Sequence, residues 1–164
     1  MKISEMTQRA GNLEPSLKRF VDNAIHRKDK FKHVGDIEEH CQVFKFENEY
    51  LLYDSDKFIG YFFVDKPENR FRLRLAYIDG QSRGKNYFEY FIWFLVRHES
   101  VEELEISDVQ SKTSEEALKK LSYRMDLHWE KDGNKEKYDP STVDKYYSVK
   151  PAGWTVVICN EGST

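Results

Sequence analysis

The stretch Leu75-Ala76-Tyr77-Ile78-Asp79-Gly80-Gln81-Ser82-Arg83-Gly84-Lys85-Asn86-Tyr87-Phe88 gathers the residue types that bind an anion. An apolar run enters it, glycines and small polar residues fill its middle, and an aromatic run leaves it. A strand that enters a glycine-bearing loop and then a helix presents unpartnered backbone amides, together with the positive end of the helix dipole. Such a place holds phosphate. Arg83 and Lys85 add cations, and Gly84 lets the backbone approach a ligand closely. On local text alone the stretch reads equally as a phosphate cradle or as an ordinary strand-to-helix turn with solvated basic residues.

Other groups capable of chemistry are scattered. Glu103 and Glu105 share one face of an alternating segment, with Asp108 near its end, and a carboxylate there serves as a general base or as a solvated charge. The run His26-Arg27-Lys28-Asp29-Lys30-Phe31-Lys32-His33 is basic with one aromatic, and reads as a solvated helix end or as a contact for nucleic acid or another phosphate. No H-x-x-x-H spacing occurs among the histidines, and His40-Cys41 lacks further ligands, so no metal is expected. Cys41 and Cys159 are too few for a disulfide framework or a four-cysteine zinc site.

These residues need elements to hold them. Leu17, Phe20, Val21, Ala24 and Ile25 recur at helical spacing, with Asn12 and Pro15 as start signals, which predicts a helix over 14–27. A shorter helix is expected after Gly35, with Ile37, Cys41 and Phe44 as its buried stripe. From Glu49 the pattern turns strand-like, with a hairpin around Asp54-Ser55-Asp56-Lys57 and a strand from Phe71 to Ile78. Tyr87 to His98 is apolar nearly all round and predicts a buried helix. A strand from Val101 to Val109 and a helix from Ser114 to about Met125 follow, the helix opened by Thr113 and Glu116 at capping-box spacing. A mobile charged stretch is expected from Lys131 to Lys145, with Tyr138, Tyr146 and Tyr147 in a polar insert, before a last strand from Trp154 to Cys159.

The chain of 164 residues is the size of one domain, expected to span 1–164. Lys plus Arg at 26 against Asp plus Glu at 29 gives a net charge of -3, which excludes a surface that is basic throughout. Aromatics at 15% argue against disorder, since each ring buries about 150–250 Å². Met1 to Ala10 is polar and no stretch approaches a spanning helix, so a soluble, cytoplasmic protein with no membrane partner is expected.

In this frame the stretch Ala76 to Phe88 resembles the GNAT superfamily of acyl-CoA-dependent N-acyltransferases, whose loop often reads L-Y-V-D-P-x-x-R-G-K-G-I-G. Gln81, Gly84 and Asn86 fall on the three marked positions of its Q/R-x-x-G-x-G/A signature, the last departing from it. Ile59-Gly60-Tyr61 stands where a hydrophobic-glycine-aromatic step is usual, Ser114 to Ala117 where the family has N-x-x-A, and Leu121-Ser122-Tyr123 near its F/L-Y pair. Element order agrees over about residues 2–159, and the letters agree closely from Tyr77 to Lys85.

The resemblance implies an α/β (α+β) fold with a mixed central sheet of about six to seven strands flanked by helices on both faces. It implies acetyl-CoA as co-substrate and an amine-bearing acceptor, small molecule or protein, with direct acetyl transfer. The pantetheine arm would pair with Ala76, Tyr77 and Ile78 where two central strands splay, and the pyrophosphate would sit on amides of Arg83, Gly84, Lys85, Asn86, Tyr87 and Phe88. An amide near Ile78 would stabilise the oxyanion, and Ser114 takes the place of an asparagine that often meets the pantetheine. For the leaving thiolate the acid is Ser122 or Tyr123, which point about 100° apart on a helix, and Glu105 is the candidate base. Family members often dimerise, so a homodimer is an expectation. The alternative is a catalytically inactive GNAT-fold binding protein, because Asn86 and Phe88 replace two glycines of the loop. A nucleic-acid contact through residues 26–33 is the weaker third reading.

Overall fold

Pro15, whose fixed backbone angle suits the first turn of a helix, opens α1 (Pro15–His26), on which Val21 and Ala24 are buried. The structure, a computed structural model, describes residues 15–67, 70–107, 112–139 and 154–159. Phe20, expected on the inner stripe of this helix, is instead 52% exposed. A short 3-10 turn, Lys28–Lys30, leads onward.

Where the spacing of Ile37, Cys41 and Phe44 predicts a second helix, the chain forms a hairpin of β1 (Lys32–Ile37) and β2 (Cys41–Phe46). Ile37 and Cys41, which a helix would stack one turn apart, face each other across the turn. Glu38 and Glu39 close that turn at φ 55 and 62. Cys41 and Val43 are fully buried on either side of Gln42, a period of two that outweighs the helical spacing.

The expected hairpin follows as β3 (Glu49–Asp54) and β4 (Lys57–Asp65), with Asp54 opposite Lys57, and then β5 (Phe71–Ile78). Helix α2 (Tyr87–His98) and strand β6 (Glu103–Ser107) occupy their expected places; Asp108 lies outside the described residues. Helix α3 (Lys112–Ser122) begins ahead of Thr113, so that residue stands inside the helix rather than capping it. The stretch expected to be mobile from Lys131 instead holds the end of β7 (Asp126–Lys131) and all of β8 (Asn134–Lys137). Asp132 and Gly133 join them at φ 50 and 84, the left-handed pair that a tight hairpin turn requires. Tyr138 is buried against Trp129, while Tyr146 and Tyr147 lie outside the described residues. The last strand is β9 (Thr155–Cys159).

These strands make one nine-stranded sheet in the order β1-β2-β3-β4-β5-β6-β9-β7-β8. The strand expected to begin at Leu127-His128-Trp129 is β7; the sheet is larger than expected because β1 and β2 extend one side and β8 the other. Every neighbouring pair is antiparallel except β5 and β6. Alternation along β3 assigns the faces: Tyr50 meets Phe91 of α2, whereas Glu49 accepts hydrogen bonds from Arg27, just beyond α1. Helices therefore cover both faces, α2 on one and α1 on the other, and α3 packs beside α2. Among the described residues no helix is long and apolar enough to cross a membrane.

Candidate functional site

Among the described residues, strands β5 and β6 pair only through Phe71 with Leu104 and Arg72 with Glu105. Beyond that point, among the described strands, β5 continues to Ile78 beside β4 and β6 continues to Ser107 beside β9. A parallel pair that opens this way leaves a wedge in the sheet, and the loop after Ile78 stands at its wide end. Ile78 lies opposite Gly60, where a β-carbon would come within 2.8 Å of the Tyr77 carbonyl oxygen; only glycine lets β4 hug β5 here.

The loop is internally braced. Asp79 accepts a hydrogen bond from the Gln81 amide at 3.4 Å, its carbonyl accepts one from Ser82 at 2.8 Å, and its own amide donates to Ile59 at 2.8 Å. Arg83 folds back, donating from Nε to the Ile78 carbonyl at 3.0 Å with its guanidinium 5.7 Å from the centre of the Tyr77 ring. It therefore secures the strand end, while Lys85 is exposed. Ser82 is buried, and its hydroxyl has no hydrogen-bond partner among the described residues. Gly84 has φ 77 and nothing within 4 Å of where a β-carbon would stand, so its backbone lies open.

Asn86 explains its own departure from the glycine pattern. It caps α2 at φ 67, a left-handed conformation that asparagine tolerates better than most side chains. Its side chain makes no cap hydrogen bond; Oδ1 instead accepts from Lys120 Nζ at 2.7 Å. The amide group is thus drawn toward α3, and Lys120 brings a cation to the start of α2 that motif reading had not included. Phe88 is half-buried and packs against the core.

Helix α2 is anchored at both ends. Near its start Tyr87 hydrogen-bonds Cys41; burial raises both groups, and the Tyr87 hydroxyl is pushed up to about 12 by burial and by Cys41. Past its end Glu99 accepts from Tyr50 at 3.0 Å and from Lys45 at 3.1 Å. Phe91 stacks on Phe62 at 3.7 Å between ring centres.

The catalytic candidates fall on two faces. Ser122, at the end of α3 and so on the α2 side, donates its hydroxyl to the Lys119 carbonyl at 2.6 Å, a local bond. Tyr123 is 68% exposed. Of Ser114 only the backbone is described. Glu105 stands on the opposite face, in the last row before the strands part, with Arg72 Nε 3.6 Å away. That Nε is buried without a hydrogen-bond partner among the described residues.

Around Glu105 the same face carries a charge network that motif reading missed. Arg70 bridges Glu103 and Glu130 at 3.0 Å each, and His128 lies 3.3 Å from Glu130. Burial alone would raise the Glu130 carboxyl, but Arg70 and His128 outweigh it and hold the group below the usual carboxylate range. The alternation of Asp126, His128 and Glu130 along β7 was the available signal.

Half of the basic run is engaged within the fold, while His26, Lys30 and Lys32 are exposed. Arg27 pairs with Glu49 at 2.9 Å, Lys28 lies over the Tyr53 ring at 4.2 Å and His33 contacts Asp36 at 2.6 Å. Cys41 and Cys159 are both free thiols. No family model and no curated protein matches this chain.

Proposed function

We propose that the protein is an acetyl-CoA-dependent N-acetyltransferase of GNAT-like fold, acting on a primary amine at the wedge between β5 and β6. The observation that carries the reading is the parallel pair that ends at Arg72 and Glu105, followed by a loop with open backbone at Gly84 and a helix start at Asn86. The amides that begin α2, with Lys85 and Lys120 nearby, suit a pyrophosphate. Acetyl-CoA would supply the activated thioester.

The chain's own residues would then hold and orient. Gly60 fixes the end of β5, and Arg83 holds the Ile78 carbonyl, so the backbone there is rigid before any ligand arrives. Glu105, at the apex of the wedge, takes the proton from the attacking amine, and Arg72 keeps its carboxylate oriented. Direct transfer needs no nucleophilic side chain.

A catalytically silent binding protein is the second reading, favoured by the local hydrogen bond of Ser122 and the exposure of Tyr123. Calorimetric titration with acetyl-CoA and thiol release over a panel of amines separate the two. The enzyme reading expects binding and turnover; binding without turnover selects the silent protein. Absence of binding at millimolar acetyl-CoA overturns the enzyme reading and leaves the silent protein. Glu105→Gln is expected to lower kcat by about a hundredfold while acetyl-CoA still binds.

A further inference from the structure

A groove of about 330 Å³ lies between the β1–β2 turn and the outer flank of α2, away from the loop at the start of that helix. Ile37 and Phe94 form apolar wall, both nearly buried, and Trp93 stands half-buried between them and solvent. Arg97 lies over the Trp93 ring at 4.4 Å and Arg124, just past α3, approaches the same ring at 5.7 Å. Among the described residues neither guanidinium has a carboxylate within ion-pair distance.

A guanidinium laid over an indole keeps its N–H donors in its own plane, pointing outward along the ring edge, where they match the fork of a carboxylate. Here two such groups, contributed by separate elements, converge on one aromatic ring. Asp36 and Glu38 line the facing rim of the groove, and Asp36 already contacts His33. Those carboxylates repel a polyanion, so a phosphate chain or nucleic acid fits poorly. One negative charge on a flat apolar body satisfies the cations with less repulsion from the acidic rim than a polyanion meets. The volume lies within the range of small-molecule pockets.

We propose that this groove binds a small aromatic monocarboxylate, its ring against Trp93, Ile37 and Phe94 and its carboxylate on Arg97 and Arg124. The site shares no residue with the proposed acetyl-CoA site and stands or falls independently of it.

The test titrates the whole chain with 1-naphthoate and with the uncharged 1-naphthamide, following tryptophan fluorescence and heat. One naphthoate per chain is expected, bound at least tenfold more tightly than the amide. The exposed pair Arg97→Gln with Arg124→Gln should weaken naphthoate at least tenfold at unchanged melting temperature, and Trp93→Phe should abolish most of the fluorescence change. Equal affinity for acid and amide overturns the proposal whatever the variants do. So does undiminished naphthoate binding in a folded double variant, or the absence of saturable binding.

Discussion

Glu49 shows how much one side chain can organise. Its carboxylate accepts from Arg27 at 2.9 and 3.2 Å and from the Tyr61 hydroxyl at 2.8 Å, tying the chain just beyond α1 to the middle of the sheet. Burial and this acceptor push the Tyr61 hydroxyl far above its ordinary range. Glu49→Leu would strand that hydroxyl without a partner and cost about 1–3 kcal/mol, read as a lower urea midpoint. Adding Tyr61→Phe should recover part of the loss; no recovery would mean that the hydrogen bond is not the source. At Gly84 only backbone angle is at stake, so Gly84→Ala should cost about 1 kcal/mol and leave acetyl-CoA binding nearly intact, while Gly84→Glu, bulky and acidic, should abolish it. The strand-loop-helix order was legible in the letters, but the left-handed angle at Asn86 was not, since asparagine there read as a departure from glycine. What letters could not convey was direction: that Arg83 turns back onto Ile78, or that Lys120 reaches Asn86 from another helix.

Elements tell the same story at larger separation. Strands with a two-residue turn, such as β3 and β4, and the long apolar helix α2 could be read from pattern. The segment after Gly35 could not, because positions four apart are neighbours both on a helix and across a short hairpin turn. Asp132-Gly133 carried a hairpin signal, outweighed in the reading by the charge of its surroundings. The wedge depends on β4 and β5 lying close, so Gly60→Ala must push against the Tyr77 carbonyl at 2.8 Å. Backbone yields reluctantly, and a loss of about 1–3 kcal/mol is expected with a weakening of acetyl-CoA binding larger than for any equally destabilising change in β8. Equal weakening from both sites would show that the end of β5 plays no special part.

For the whole molecule, alkaline pH is the sharpest probe. The Tyr87 hydroxyl sits at about 12 in the folded chain against an ordinary 10.0, so the folded form keeps its proton longer. Its contribution to stability is complete below pH 10.0 and is lost as pH rises toward about 12. Urea midpoints measured across that window should fall with pH, and Tyr87→Phe should make the fall shallower; an unchanged slope would detach Tyr87 from it. Mixed α+β architecture was evident from the order of patterns, but the number of strands was not, since the apolar spacing of β1–β2 also suits a helix and β8 is exposed and polar throughout. The position of β9 bears on how the chain is made. It enters the sheet between β6 and β7, so the β7–β8 hairpin has no lasting seat until residues 155–159 have emerged from the ribosome. Until then β6 offers Leu104 and Ile106 along an unpaired edge. Stalling of synthesis before β9 is therefore expected to leave an aggregation-prone nascent chain of the kind that holdase chaperones shield, read as insolubility of a chain ended before residue 155.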